Sequence, residues 1–233
     1  MTGLAIAISP TVAFQTNDRL LSIAELTGKG NPELFGEGYK LRKEAQEAFE
    51  SMQQEALKSD ISISIVSSYR NFEHPNSIWE RKYKKYISRG LSPEASIEKI
   101  IEYSTIPGTS RHHWGTDIDI IDLNPKQPSS VLNPKNFEAD ACYGNLKQWM
   151  DAHAKTFGFY LVYTDESSRK GFHYEPWHYS YKSLSCTYLN EYKTLNLKEI
   201  LLSEQLLGHT AMTDDFLQRY RREHLLDINP DLL

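Results

Sequence analysis

Apolar residues recur at helical spacing over residues 33–58, where Leu41, Ala45, Ala48, Phe49, Met52 and Leu57 line one face. Pro32 and Glu33 suit a helix start there. Ile61, Ile63 and Ile65 then alternate with Ser62 and Ser64, the pattern of a short half-buried strand. Residues 72–89 read as a helix interrupted early by Pro75 and ended by Gly90. Ser92-Pro93-Glu94 opens another helix that runs to Tyr103, because Ser caps, Pro fits the first turn and Glu favours the dipole. Ile118, Ile120 and Leu123 predict a second strand, and residues 143–157 a helix stopped by Gly158. Two more strands are expected at 159–163 and 177–181. Residues 195–226 are helical by pattern, most simply a pair of helices packing on the domain. The sum is an α+β chain: a small, mainly antiparallel sheet flanked by helices, with helical N- and C-terminal extensions.

Composition narrows the class without naming a function. The 233 residues suffice for one sizeable core, and 12 Gly with 10 Pro exclude a collagen-like or low-complexity chain. No apolar run approaches the length of a bilayer span. The 26 basic residues against 31 acidic ones lack the surplus of a nucleic-acid binder, so none is expected as a partner. The basic, aromatic run Arg81-Lys82-Tyr83-Lys84-Lys85-Tyr86 therefore reads as a solvated helix face. Cys142 and Cys186 make neither a disulfide framework nor a thiolate zinc site; one bridge or two isolated thiols are both open. Leu4 to Ile8 resembles the apolar core of a secretory signal, with Thr11 and Ala13 at the small positions before a cleavage site. The positive start of such a signal is missing, so residues 1–32 read either as its remnant or as a segment packed on the domain.

Two segments hold the chemistry. Residues 107–119 (PGTSRHHWGTDID) and 171–179 (GFHYEPWHY) carry four of the eight histidines beside several carboxylates. Catalytic zinc takes three protein ligands from His nitrogen and carboxylate oxygen and keeps a fourth position open. His112 and Asp119 could reach one ion if the loop around Gly115 doubles back into a strand, with His178 completing the set from a neighbouring strand. Pro176 disfavours a helical Glu175, so Glu175-x-x-His178 lies on an extended or turning segment. Glu175 would then be a carboxylate beside the metal, free to accept a proton. His74, His113, His153, His173, His209 and His224 are left outside the site, as packed or hydrogen-bonded histidines.

Ser-x-His-x-x-Gly-x-x-x-Asp (Ser110, His112, Gly115, Asp119) followed by Glu175-Pro176-Trp177-His178 resembles the zinc D-alanyl-D-alanine carboxypeptidases and dipeptidases of the vancomycin-resistance type. The likeness extends to Ser67-Ser68-Tyr69-Arg70 and to residues 149–163, so it covers roughly half the chain. It implies one zinc held by His112, Asp119 and His178, Glu175 as general base and acid, and Arg70 and Ser110 as substrate-binding residues. A guanidinium fork suits the terminal carboxylate a carboxypeptidase must recognise; an ordinary ion pair for Arg70 and a cap for Ser110 are the plain alternatives. The implied substrates are peptidoglycan stem peptides and the implied location is the periplasm or cell wall. The implied organisation is a catalytic domain at 33–182 and a helical extension at 183–233. Related L,D-carboxypeptidase, D,D-dipeptidase or cross-link endopeptidase activities need the same metal centre, and a non-catalytic wall-binding module is a further reading. Two positions depart from the family pattern. Pro75 stands where the family often carries Gln. Asp117 replaces a small apolar residue: on a regular strand it shares a face with Asp119 and can partner a metal ligand, whereas on a bulged one it is merely solvated.

Overall fold

A computed structural model describes residues 21–233. Its elements in chain order are α1 (Ile23–Leu26), α2 (Lys43–Leu57), β1 (Ile63–Ser67), α3 (Glu73–Ile87), α4 (Pro93–Ile101), β2 (Asp117–Asp122), α5 (Gly144–His153), β3 (Phe159–Leu161), β4 (His178–Tyr181), α6 (Lys182–Lys193), α7 (Leu197–Ser203) and α8 (Asp214–Tyr220). The four strands form one antiparallel sheet in the order β1-β2-β4-β3. This is the expected α+β architecture.

Alternation along the central strands gives the sheet two unlike faces. Ile118 and Ile120 of β2, Phe159 of β3 and Tyr179 of β4 point into a core closed by Phe49 and Met52 of α2 and by Leu146 and Met150 of α5. With a period of two, Asp117 and Asp119 of β2 then fall on the opposite face, as do His178 and Ser180 of β4. Asp117 pairs with Ser180 and Asp119 with His178, so the polar residues sit side by side across the ladder. A second core, built from Trp79, Ile97, Ile100, Tyr163, Phe172 and Tyr220 with the C-terminal segment, closes that side.

Both flanks are sewn to the centre. Ser92 caps α4 as expected, its hydroxyl accepting from the Ala95 amide. The Tyr220 hydroxyl accepts from the Ile106 amide at 3.1 Å and lies 2.8 Å from Thr109 Oγ1, which fixes the loop leading into the histidine motif. Trp79 Nε1 donates to the Leu207 carbonyl, and Asn229 bonds the carbonyls of Leu161 and Val162. On the other side Trp114 Nε1 donates to Leu26, and Arg42 bridges the Trp114 carbonyl and Glu25.

Several expectations need correction. No helix begins at Glu33: the chain forms a bridge between Phe35 and Leu41 over Gly36 and Gly38, both at positive φ, and α2 starts only at Lys43. Leu123 lies outside β2 and is exposed. The helix before Gly158 ends at His153 and tightens into a 3-10 turn over Ala154–Phe157. By contrast, the pair of helices expected within 195–226 is present as α7 and α8, separated by positive φ at Gln205 and Gly208, with α8 running on into a π-helical turn, Arg221–Leu225. Of the expected N-terminal helical extension the described part holds only α1, and the signal-like stretch at 4–13 lies outside the described residues. Cys142 and Cys186 are both free and half-buried, so no bridge joins them.

His224, in the π-helical turn, is stacked on Tyr220 and edge-on to Phe172. Burial pushes its pKa down to about 4, helped by the Arg219 charge. A neutral imidazole in the folded state against ~6.5 when unfolded makes its contribution complete above about pH 6.5 and lost as pH falls through 4. Urea unfolding at pH 7 and pH 4.5 should therefore show His224→Gln losing about 2–3 kcal/mol less on acidification than the parent. Equal losses in the two proteins would remove His224 from the acid sensitivity of the fold.

Candidate active site

The histidine motif turns back on itself before β2. Residues Arg111–Trp114 form a single 3-10 turn whose last residue hands over to Gly115 at φ 70°. The left-handed backbone is what calls for glycine here; a Cβ would also press on the terminal methyl Leu34 Cδ2 at 2.9 Å. The reversal brings His112 next to Asp119, while β4 brings His178 alongside. Ligand atoms of His112, Asp119 and His178 all lie within 4.8 Å of one another, and all three residues are buried.

The ring nitrogens have distinct surroundings. His112 Nδ1 lies 2.8 Å from the Ser68 carbonyl, which makes it the protonated nitrogen and turns Nε2 toward Asp119 Oδ2 at 3.4 Å. His178 presents Nδ1 to Glu175 Oε2 at 2.9 Å and to Asp119 Oδ1 at 3.9 Å, while its Nε2 lies 3.1 Å from Asp117 Oδ2. Tyr163 stands edge-on to the His178 ring at 5.2 Å. Asp119 Oδ1 is buried and has no hydrogen-bond partner among the described residues. An orphaned buried carboxylate oxygen, on a carboxylate that two imidazoles approach from its two oxygens, is a costly arrangement on its own and fits a cation that would share the three donors.

Arg70 reaches the same centre. Its Nε and Nη2 donate to Ser67 Oγ at 2.8 and 2.5 Å, and Nη2 also donates to Asp119 Oδ2 at 2.9 Å. The bulge between Ile65 and Ser67 sets Ser67 opposite Asp119 and so makes this possible. Nη1 has no hydrogen-bond partner among the described residues. Ser110 occupies the cap position of the 3-10 turn, yet its hydroxyl makes no capping bond. Ser110, Arg70, Glu175 and the three central residues all line one cleft of about 230 Å³, walled by Tyr103, Leu132, Phe172 and Trp177. Pro75 and Ile78 also line it.

Charge balance follows from these contacts. Burial alone would lower His178, but the hydrogen bonds to Asp117 and Glu175 and the Asp119 charge outweigh it and hold the ring up to about 10. Burial would raise Asp119, and the surrounding His112, His178 and Arg70 bring it down to about 2. His112 is lowered, first by burial and then by the Arg70 charge.

Of the residues singled out from sequence, the fold brings His112, Asp119, His178, Glu175, Arg70 and Ser110 to one cleft. His113 lies behind them, with Nδ1 2.6 Å from the Arg70 carbonyl. Asp117 begins a regular stretch of β2, shares the Asp119 face and is wholly buried. Sequence reasoning did not find Arg111, Ser180 and Thr116, which surround Asp117, or Tyr163. The alternation in Asp117-Ile118-Asp119 facing His178-Tyr179-Ser180 was the available signal for Ser180, and it required the strand register.

A buried His-Asp-His group that opens on one side to a cleft, with a carboxylate at its edge, could hold a metal ion and leave room beside it for water or substrate. The model of the VanY family, D-alanyl-D-alanine carboxypeptidase, matches residues 38–184, and the chain belongs to that family. A D-alanyl-D-alanine carboxypeptidase of Enterococcus faecalis is 27% identical over 154 residues, which are 65% of this chain and 52% of the relative. The chain thus spans about half the length of that curated relative. Among solved structures, the LdcB LD-carboxypeptidase superposes with a TM-score of 0.51 at 25% identity, covering 71% of each chain. A VanY D,D-pentapeptidase in complex with Zn(II) superposes with a TM-score of 0.50 at 22% identity, covering 72% of this chain and 88% of its own, a likeness of fold.

Zinc binding only the folded state stabilises it by about 2.7 kcal/mol at one hundred times its dissociation constant. Thermal unfolding should accordingly shift upward by a few degrees with zinc and return with chelator, and Asp119→Asn should abolish the shift. An unchanged midpoint in the parent chain would argue against a metal at these residues.

Proposed function

We propose that this chain is a zinc-dependent D-alanyl-D-alanine carboxypeptidase that removes the terminal residue of peptidoglycan stem peptides. The observation that carries the proposal is the buried His112-Asp119-His178 group, its ligand atoms within 4.8 Å of one another, with Asp119 Oδ1 unpartnered among the described residues 3.9 Å from His178 Nδ1 and Glu175 Oε2 2.9 Å from that same nitrogen. His112, Asp119 and His178 would hold one zinc per chain. When bound, zinc lowers the pKa of water toward ~7 and polarises a scissile carbonyl.

The remaining work falls to the chain's own groups. Glu175, at the cleft edge with its side chain 30% exposed, accepts a proton from the attacking water. The water oxygen bonds to the carbonyl carbon, the C–N bond breaks, and Glu175 returns the proton to the departing amine of D-alanine. Arg70, anchored through Nε and Nη2, keeps donors for the terminal carboxylate. The uncapped Ser110 hydroxyl hydrogen-bonds the peptide. In this reading residues 33–182 are the catalytic domain and 183–233 an extension that braces its loops. Substrate of this kind lies outside the cytoplasmic membrane, so the protein works in the periplasm or at the cell wall. A second reading, L,D-carboxypeptidase activity, is favoured by the likeness to LdcB. It uses the same residues and differs in the configuration accepted on the acyl side of the bond.

Mass spectrometry of defined muropeptides digested with zinc-loaded protein tests both readings. Glu175→Gln should lower turnover by about 10²–10⁴-fold with zinc retained. Arg70→Ala should weaken cleavage of free C-termini by about 10–100-fold, from the loss of one or more charged hydrogen bonds. Cleavage confined to L,D bonds would select the second reading. Full activity of Glu175→Gln would contradict both.

A further inference from the structure

Asp117 has no place in the proposed chemistry, yet it is the most heavily bonded carboxylate around the site. Arg111 Nε donates to Oδ2 at 2.8 Å, while Ser180 Oγ and Thr116 Oγ1 donate to Oδ1 at 2.5 and 2.9 Å. Arg111 Nη2 closes the ring on Ser180 Oγ at 2.7 Å, and the guanidinium lies over the Trp114 ring. The ion pair is shut off from water, with side-chain exposures of 5% for Arg111 and 0% for Asp117. Its one outlet toward the cleft is the contact of Oδ2 with His178 Nε2.

A carboxylate in this setting can only accept hydrogen bonds, so the nitrogen facing it must carry a proton. The other nitrogen of the same ring faces a second acceptor, Glu175 Oε2. A ring that gives one nitrogen to a metal keeps a single N–H, and the two carboxylates compete for it. If Glu175 won, the proton would sit on Nδ1, the nitrogen turned toward Asp119, and that lone pair would be lost to a metal. Asp117 is held rigidly by three donors besides His178, whereas Glu175 is partly exposed at the cleft edge. The fixed acceptor therefore wins the proton. Arg111 makes this affordable, because a lone buried carboxylate would be costly and would tend to protonate.

We propose that Arg111 and Asp117 act as a positioning pair that keeps the His178 proton on Nε2 and thereby commits Nδ1 to the metal, leaving Glu175 free for its own proton. This rests on the metal-centre reading given above. It also gives a role to the acid that stands where the family resemblance implies a small apolar residue.

Zinc affinity, measured by competition with a chromophoric chelator, and ¹⁵N-resolved NMR of the histidines in the zinc-loaded protein test the pair without reference to turnover. Asp117→Asn should weaken zinc ten- to a hundred-fold. It strands a buried guanidinium and can cost the fold, so the double variant Arg111→Leu/Asp117→Ala, which removes both charges together, is the companion. It should fold and show the same loss of affinity. The parent should display a His178 Nε2 proton that exchanges slowly, and the double variant should not. Zinc affinity within threefold of the parent in the folded double variant, or a rapidly exchanging Nε2 proton in the parent, would overturn the inference and leave the metal centre standing. A parent that binds no zinc would overturn both.

Discussion

Buried charge is the constraint on which this structure turns. Asp117, Asp119, His112 and His178 are all removed from water on one face of a four-stranded sheet, where an unpaired charge costs several kcal/mol. Two guanidinium groups make the arrangement tolerable. Arg111 holds Asp117, and Arg70 holds one oxygen of Asp119. Among the buried carboxylate oxygens of Asp117 and Asp119, Asp119 Oδ1 is the one left without a hydrogen-bond partner in the described residues, and it faces His178 Nδ1.

The rest of the fold can be read as support for that face. The opposite side of the sheet is an ordinary apolar layer against α2 and α5. On the polar side the second core, the C-terminal segment included, braces the loops that carry Ser110 and Glu175. Tyr220 fixes the approach to the histidine motif, and Phe172, packed on His224, forms part of the cleft wall. Stability in these outer parts and geometry at the centre are thus coupled through a few buried aromatic groups.

Much of this was legible in the residues. The Ile63 and Ile118 alternations gave two strands, Ser92 gave a cap, and the spacing of His112, Gly115 and Asp119 gave a turn into a strand. What failed was continuity. Helical spacing was extended back through residues 33–42, but Gly36 and Gly38 adopt positive φ there and the helix starts only at Lys43. At the site, the residues in the two motifs were visible because they are close in sequence. The bonds of Arg111 and Asp117 to Ser180 were not, because they depend on the register of β2 against β4. The orientation of Arg70 toward Asp119 likewise depends on the bulge after Ile65.

The central claim is that His112, Asp119 and His178 share one ion and leave a side open to the cleft. A crystal structure of the zinc-loaded protein with anomalous data across the zinc edge addresses it most directly. The account predicts one peak bonded to His112 Nε2, an Asp119 oxygen and His178 Nδ1 at about 2.0–2.2 Å, with the fourth position facing Glu175. A peak elsewhere, ligation through His178 Nε2, or a shell closed by a fourth protein ligand such as His113 would contradict it.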